Sequence, residues 1–210
     1  MARVRKIRRN PTGRNYFLVD ACFLANKYIP PRLAPDRKQR ERINRCLEWW
    51  AEIDKQISEG KARVYIPDIC IAETFKVLAK KYYIEKWFKS AVQLDYYRRK
   101  LRGDIVMTTR EMRKSNRKVK YHDISTSRDI IISVDRFFEL FSNLKLNVSL
   151  PDLIILATAK YLMDFYDIAG STLHIVTMDS ALWRGSKKCQ EVPNAYDPTK
   201  EGDARNRVFE

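Results

Sequence analysis

The stretch "YFLVDACFLANKYIP", residues 16–30, places a bare carboxylate between two apolar segments. The aromatic and β-branched run at its start predicts a short buried strand over residues 16–20. Residues 21–27 predict a helical turn, which Pro30 and Pro31 close. Asp20 therefore ends a strand and begins a helix. A carboxylate in this position is either a helix cap or a ligand for a bound group.

The rest of the chain alternates strand and helix patterns in the same way. Short buried strands separated by helices predict parallel pairing, and so a single α/β domain with helices on both faces of the sheet. We predict a basic N-terminal arm over 1–15, the domain over 16–190 with a basic insertion at about 98–127, and a polar tail over 191–210. The tail is expected to add one edge strand and then fray. Further strands are predicted at 62–67 and 171–179, and helices at 35–59, 68–83, 84–100, 128–142 and 149–166.

Positive charge is the dominant feature of the composition. The 210 residues contain 41 Lys and Arg against 26 Asp and Glu, a net charge of +15. Residues 1–14 carry six basic side chains and no acid, and residues 98–120 carry ten against two acids. Such clusters favour nucleic acid as the partner, although a solvated basic surface is the simpler alternative. The candidate contacts are Arg98, Arg99, Lys100, Arg113, Lys114, Arg117 and Lys118.

Several classes of protein are disfavoured by the sequence. No apolar run approaches the ~18–20 residues of a membrane helix, and no signal-peptide pattern follows the basic N-terminus. The four cysteines form no CxxC pair and are expected to be reduced thiols in a cytoplasmic protein. The sequence has only two histidines, His122 and His174, and no glycine-rich phosphate loop.

Four acidic residues occur in apolar surroundings. Asp20 and Asp179 end predicted parallel strands, where open α/β sheets bind ligands. Asp152 lies in the first turn of a buried helix, and Glu73 lies on the apolar face of another. Each aspartate alone could be a cap or a helix-dipole partner. Together, the four carboxylates predict a hard-oxygen site for Mg²⁺ or Mn²⁺ that acts on a phosphodiester.

Four segments carry a resemblance to a known family. "FLVDACFLAN", "IPDICIAETFKVL", "LPDLIILATAKYL" and "IVTMDSAL" resemble, in order over residues 16 to 185, the motifs of the PIN-domain ribonucleases, which include the VapC toxins. The resemblance implies a PIN-like α/β/α fold and metal-dependent hydrolysis of single-stranded RNA. It assigns the catalytic and metal-binding acids to Asp20, Glu73, Asp152 and Asp179, and a supporting hydroxyl to Thr177. Ala21 and Cys22 depart from the hydroxyl or amide that often follows the family's first Asp.

Two roles remain open at this stage. The chain is longer than a compact VapC toxin, so a toxin and a housekeeping RNA-processing nuclease are both compatible with the motifs. A non-catalytic RNA-binding protein within a larger complex is the alternative from another class. The expected partners are single-stranded or structured RNA, an antitoxin protein and a second copy of the chain, with no membrane.

Overall fold

The structure is a computed structural model that describes residues 13–105, 121–200 and 208–209. Within these ranges five strands and seven helices alternate along the chain. A 3-10 turn, Pro31–Leu33, separates the first two helices. The elements are β1 Asn15–Val19, α1 Ala21–Tyr28, α2 Arg37–Ser58, β2 Ala62–Pro67, α3 Asp68–Tyr83, α4 Ala91–Ile105, β3 His122–Ile124, α5 Arg128–Asn143, α6 Leu150–Tyr166, β4 Leu173–Val176, α7 Ser180–Ser186 and β5 Ala195–Tyr196.

The five strands form one sheet in the order β3-β2-β1-β4-β5, and every pair is parallel. In the centre, Phe17 of β1 lies opposite Val64 of β2 and His174 of β4. Helices flank this sheet, so the predicted α/β/α class is confirmed. Because all strands run the same way, the carboxyl ends of β1 and β4 meet at one edge.

Helix α2 shows how local chemistry sets the boundaries of an element. Asp36 caps it, with its side chain accepting a hydrogen bond of 2.8 Å from the Gln39 amide. Pro35 therefore precedes the cap, whereas the sequence placed it inside the first turn. The side chains of Ile43 and Trp50 on this helix are buried. Gly60 follows the helix with a φ of 73°, a left-handed conformation that glycine adopts readily.

The interval predicted as an insertion is partly regular structure. Helix α4 continues to Ile105, and its side chains Tyr97 and Leu101 are buried. Strand β3 pairs with β2, and the buried Tyr121 before it donates a 3.0 Å hydrogen bond to Asp54. Residues 98–105 and 121–124 thus belong to the packed domain, in contrast to the sequence prediction. A strand of three residues is too short to show an alternating pattern.

The tail contributes more than an edge strand. Strand β5 pairs with β4, which confirms the predicted edge strand. Beyond it, Phe209 packs its ring 5.8 Å from that of Phe17 and 5.2 Å from that of Trp49. The carbonyl of Val208 accepts a 3.0 Å hydrogen bond from Asn15. Residues 208–209 are therefore docked on the core, and the expectation that the tail frays is wrong for them.

Two global expectations can be compared with the described residues. In these ranges no helix has the length and apolar character needed to cross a membrane. The four cysteines are free thiols, as predicted, with Cys22 exposed and the other three buried.

Candidate acidic site

Asp20 joins the ends of the two central strands. One carboxylate oxygen, Oδ1, caps helix α1 by accepting a 2.6 Å hydrogen bond from the Phe23 amide. The other, Oδ2, accepts from the Thr177 hydroxyl at 2.6 Å and from the Met178 amide at 2.9 Å. The residue is only 4% exposed. Asp20 is thus a cap and, at the same time, a cross-link from β1 to the segment after β4.

Thr177 and Asp179 form the other half of this connection. The buried Thr177 hydroxyl donates to Asp20 and accepts a 2.9 Å hydrogen bond from the Asp179 amide. Asp179 is exposed and caps α7, with Oδ1 accepting from the amides of Ala181 at 2.7 Å and Leu182 at 2.9 Å. The structure therefore places Thr177 between two of the predicted acids.

Asp152 lies in the first turn of α6 and is half-buried. Ser149 caps this helix, and its hydroxyl donates to Oδ2 of Asp152 at 2.5 Å while accepting from the Asp152 amide at 3.4 Å. These bonds fix the Asp152 side chain over the helix N-terminus. Oδ1 accepts no hydrogen bond from the residues that the structure describes.

Glu73 lies in the interior of α3 and is half-buried. The next residue, Thr74, ties α3 to α1 through a 3.3 Å hydrogen bond to the Ala21 carbonyl. Across the described ranges, no hydrogen bond or ion pair engages the Glu73 carboxylate. Both oxygens of this carboxylate can therefore still accept a hydrogen bond or contact a cation.

Electrostatics show that the acids share one region. Burial raises the pKa of the Cys70 thiol, and the charges of Asp20, Glu73 and Asp152 raise it further. Burial likewise raises the pKa of Asp20 to about 6, with the charge of Asp179 adding to the effect against three hydrogen bonds that lower it. The pKa of Asp152 is also raised to about 6, by burial first and then by the charges of Asp179 and Asp20. The three aspartates thus repel one another across a common space.

The chemistry of these side chains fits a hard divalent cation. Asp20 Oδ1 accepts one bond, leaving one of its two lone pairs available. Asp152 Oδ1, Asp179 Oδ2 and both oxygens of Glu73 accept none within the described chain. As they stand, however, no three or more His, Cys, Asp or Glu side chains of the described residues form a ready ligand group. Binding through three of them would therefore require side-chain movement. Glu73 has no hydrogen bond to break within the described residues, whereas rotation of Asp179 would disturb its bonds from the Ala181 and Leu182 amides.

The predicted nucleic-acid contacts divide into two groups. Arg98, Arg99 and Lys100 lie on α4, where Arg99 pairs with Asp95 at 3.0 Å and Lys100 lies 4.7 Å from the centre of the Tyr96 ring. The half-buried Arg98 has a buried Nε that finds no hydrogen-bond partner among the residues the structure describes. The others, Arg113, Lys114, Arg117 and Lys118, lie outside the described residues. Their role in binding stays a prediction.

One basic residue that contacts the site was not predicted from the sequence. Arg42 on α2 donates a 3.3 Å hydrogen bond from Nη2 to the carbonyl of Met178, the residue between Thr177 and Asp179. The available signal was the spacing of Lys38 and Arg42, which puts both on one side of the helix. No local pattern indicates which surface that side faces.

The two histidines have structural surroundings. His174 is buried in β4 between the rings of Phe17 and Tyr196, and its Nε2 lies 3.3 Å from Asn15 Oδ1. Burial lowers the pKa of His174 to about 4. His122, which falls within the predicted insertion at about 98–127, lies in β3 beside the Tyr65 ring. Neither environment resembles that of a catalytic base near neutral pH.

Comparisons with known proteins give structural likeness only. No family model and no curated protein matches the chain. FitAcB from Neisseria gonorrhoeae is 13% identical, with a TM-score of 0.51 over 88% of this chain and 99% of the matched chain. VapBC2 from Rickettsia felis, bound to a DNA fragment from its promoter, is 12% identical with a TM-score of 0.49 over 87% and 98%. FitAB bound to an IR36 DNA fragment is 15% identical with a TM-score of 0.45 over 87% and 94%.

These results correct the assignment of the chain to the PIN-domain ribonucleases. No family model supports it, and the likeness to FitAcB, at 13% identity, is evidence of a fold and not of a family. The family assignment is therefore withdrawn. The α/β/α architecture and the positions of the acids stand on the structure itself.

Proposed function

We propose that the chain is a divalent-metal-dependent endoribonuclease that hydrolyses phosphodiester bonds of single-stranded RNA. Asp20, Glu73, Asp152 and Asp179 would hold Mg²⁺ or Mn²⁺. The observation that carries the proposal is the convergence of Asp20, Asp152 and Asp179 on one region. Burial is the main cause that raises the pKa values of Asp20 and Asp152 to about 6, and the charges of neighbouring aspartates raise them further. The net charge of +15 supports a polyanionic substrate.

In this proposal the side chains have distinct tasks. When bound, a divalent cation supplies Lewis acidity and neutralises charge that develops on the phosphate. Asp20, fixed by three hydrogen bonds to its side chain, is the least mobile of the acids. Asp20 and Asp152 are both protonated when the pH is well below 6, and both are ionised when the pH is above 6. The site is therefore expected to bind cations only in its deprotonated form.

Charge-removing variants test this proposal. Glu73→Gln, Asp152→Asn and Asp179→Asn should each abolish most Mg²⁺- or Mn²⁺-dependent cleavage of a single-stranded RNA, since each removes a proposed ligand charge. Asp152→Asn is the sharpest of them, because its amide oxygen can still accept from Ser149. Asp164→Asn is the matched control: it changes an exposed acid of the same helix, paired with Lys160 at 2.6 Å, and should cleave normally.

Asp20→Asn should also abolish cleavage, with an added loss of stability. Both oxygens of Asp20 accept hydrogen bonds, so the amide nitrogen of Asn would face a donor. A melting curve must accompany its assay. Wild-type cleavage rates in folded Asp152→Asn or Glu73→Gln would show that these acids are not the catalytic set.

A non-catalytic RNA-binding protein within a larger complex is the second candidate function. It is favoured by the lack of a ready ligand group among the acids that the structure describes. Here the wild-type chain would bind single-stranded RNA, and millimolar Mn²⁺ would neither produce cleavage nor raise the melting temperature. Both assays use the same protein preparation, so one experiment separates the candidates.

We further propose that a protein partner belongs to this function, with the chain acting as the nuclease of a toxin–antitoxin pair. The support is the shared fold with FitAcB, which is such a complex. Expression with and without a small neighbouring reading frame tests the pairing. Growth arrest that the second gene relieves, together with co-purification, is the expected result. Harmless expression of the chain alone would exclude a toxin role and leave the nuclease proposal unaffected.

A further inference from the structure

A cavity of about 810 Å³ lies beside the acidic site. Cys22 and Met178 line it, and these residues flank the carboxylate of Asp20 in the fold, since the Met178 amide donates to Asp20. The opposite wall comes from the beginning of α2 and from the end of α3 with the following Trp87. The volume lies within the roughly 300–1,000 Å³ of ordinary ligand sites. We call this cavity the α2 cleft.

The α2 cleft carries an excess of positive charge. Four basic residues line it, Arg37, Lys38, Arg42 and Lys81, against two acids. Two of the four are neutralised locally, because Arg37 pairs with Glu41 at 2.7 Å and Lys81 pairs with Glu85 at 2.6 Å.

Lys38 and Arg42 are the two cations of the cleft that remain. Neither forms an ion pair with any residue in the described ranges. They are four residues apart and share one side of the helix. Lys38 lies in the first turn of α2, where the helix dipole also favours an anion.

Arg42 is held in position at the boundary between the cleft and the acids. One of its five N–H donors binds the Met178 carbonyl, and the others are available to a ligand. A planar guanidinium with free donors matches the paired oxygens of a phosphate. An RNA strand that is cut at the acids must also extend away from them. The α2 cleft is the adjoining concave surface with cations suited to its backbone.

We infer that the α2 cleft binds the single-stranded RNA next to the cleaved bond, with Lys38 and Arg42 each contacting a backbone phosphate. This inference rests on the proposed function, since it is cleavage at the acids that implies an RNA strand extending from them into the α2 cleft. It differs from the basic segment at 98–120, because the residues involved lie on α2 and adjoin the acids directly. The contacts are to phosphate, so they are expected to contribute affinity without base specificity.

Binding measurements without metal test the inference separately from catalysis. The full-length chain and Lys38→Ala/Arg42→Ala are titrated against a fluorescent single-stranded RNA in chelator, by anisotropy at several salt concentrations. Arg40→Ala/Lys188→Ala is the matched control, since it removes the same charge from exposed residues that do not line the cleft. From a slope of about 0.7 per phosphate on a single strand, one lost contact should weaken binding about 5-fold at 0.1 M salt, and two about 25-fold. The salt slope should fall by about 1.4 in the cleft variant and remain unchanged in the control.

Four results would overturn the inference. The first is equal affinity and slope in the cleft variant and wild type, and the second is an equal loss in the cleft variant and control. The third is that wild type binds no single-stranded RNA. The fourth is that binding of a glutamate-rich peptide, and not of RNA, depends on Lys38 and Arg42, which would indicate a protein partner. If RNA binding follows the expected pattern while Mn²⁺ produces no cleavage, the nuclease proposal fails and the binding surface stands.

Discussion

Replacing Thr177 with Val tests whether the charge of Asp20 is stabilised through this hydroxyl. Val has nearly the shape of Thr but cannot donate to Asp20 Oδ2 or accept from the Asp179 amide. The site is buried, so water cannot easily replace either bond.

The expected loss of stability depends on pH. A hydrogen bond to a charged group contributes about 1.5–3 kcal/mol, and an unpaired amide costs about 1 kcal/mol or more. At about pH 8, where Asp20 is ionised, Thr177→Val should therefore lower the free energy of unfolding by roughly 3 kcal/mol. At about pH 5 most of the folded protein has a protonated Asp20, because its pKa is raised to about 6. The charge-assisted part of the bond is then absent, so the loss of stability should be smaller than at pH 8. Each pKa unit by which Thr177→Val raises the pKa of Asp20 corresponds to roughly 1.4 kcal/mol of this pH-dependent part.

The sign of this dependence follows from proton linkage. The Thr177 hydroxyl lowers the pKa of Asp20, so its removal raises that pKa further above the ordinary 3.8. A raised carboxylate pKa lowers the stability of the folded state as pH increases through the interval between the unfolded and folded values. In Thr177→Val this pH interval should reach a higher pH than in wild type. The free energies of unfolding of the two proteins should differ most at pH values above the interval.

Urea unfolding followed by circular dichroism at the two pH values, in chelator, measures the effect. Thr158→Val is the control, because its buried hydroxyl donates to the Ile154 carbonyl at 2.7 Å and bonds to no carboxylate of the described residues. Its loss of stability should be the same at both pH values. If Thr177→Val also shows equal losses, or a loss below about 0.5 kcal/mol, the charge of Asp20 does not depend on this bond.

Two further predictions concern the site and the fold. Millimolar Mn²⁺ should raise the melting temperature near pH 7.5 and have little effect near pH 5, because protonated Asp20 and Asp152, with pKa values of about 6, are poor ligands. A Mn²⁺ concentration of 100 times the dissociation constant would add about 2.7 kcal/mol to the free energy of unfolding. Equal shifts of the melting temperature at both pH values in a thermal scan would contradict this prediction. Gly185→Ala should lower the free energy of unfolding by roughly 1–3 kcal/mol, since the new Cβ would lie 1.9 Å from the buried Phe141 ring. Gly170→Ala is the control, because its new Cβ would meet only the flexible end of Met163 at 3.2 Å, and this variant should melt near the wild-type temperature. Similar melting temperatures for the two glycine variants would show that α5 and α7 do not pack as described.

Local patterns in the sequence were sufficient for much of the fold. The β2 strand and the α3 helix begin and end where the apolar pattern and Pro67 predict. The strand order was not predicted, but parallel pairing was, and with it the meeting of Asp20 and Asp179 at one sheet edge. This inference succeeded because it depends only on strand direction and not on side-chain detail.

Contacts between distant residues account for what the sequence did not predict. Strand β3 forms because it pairs with β2, whereas its three residues alone show no strand pattern in the sequence. Phe209 reaches the core only after β1 and α2 have created a place for its ring. The Arg42 contact with the Met178 carbonyl likewise joins residues 136 positions apart. In each case tertiary packing decides the structure, and a single sequence does not display it.

The structure also bears on whether the acids are merely helix caps. Asp20 and Asp179 do cap α1 and α7, as the simpler interpretation holds. A cap does not require a charge, however, because the hydroxyls of Ser127 and Ser149 perform the same task for α5 and α6. At Asp20 the charge is unfavourable: a pKa of about 6 in place of 3.8 corresponds to roughly 3 kcal/mol against the ionised folded state at neutral pH. A serine would cap α1 without this penalty, which supports the proposal that a divalent cation compensates the charge of Asp20. Such a cation would also relieve the repulsion from Asp152 and Asp179.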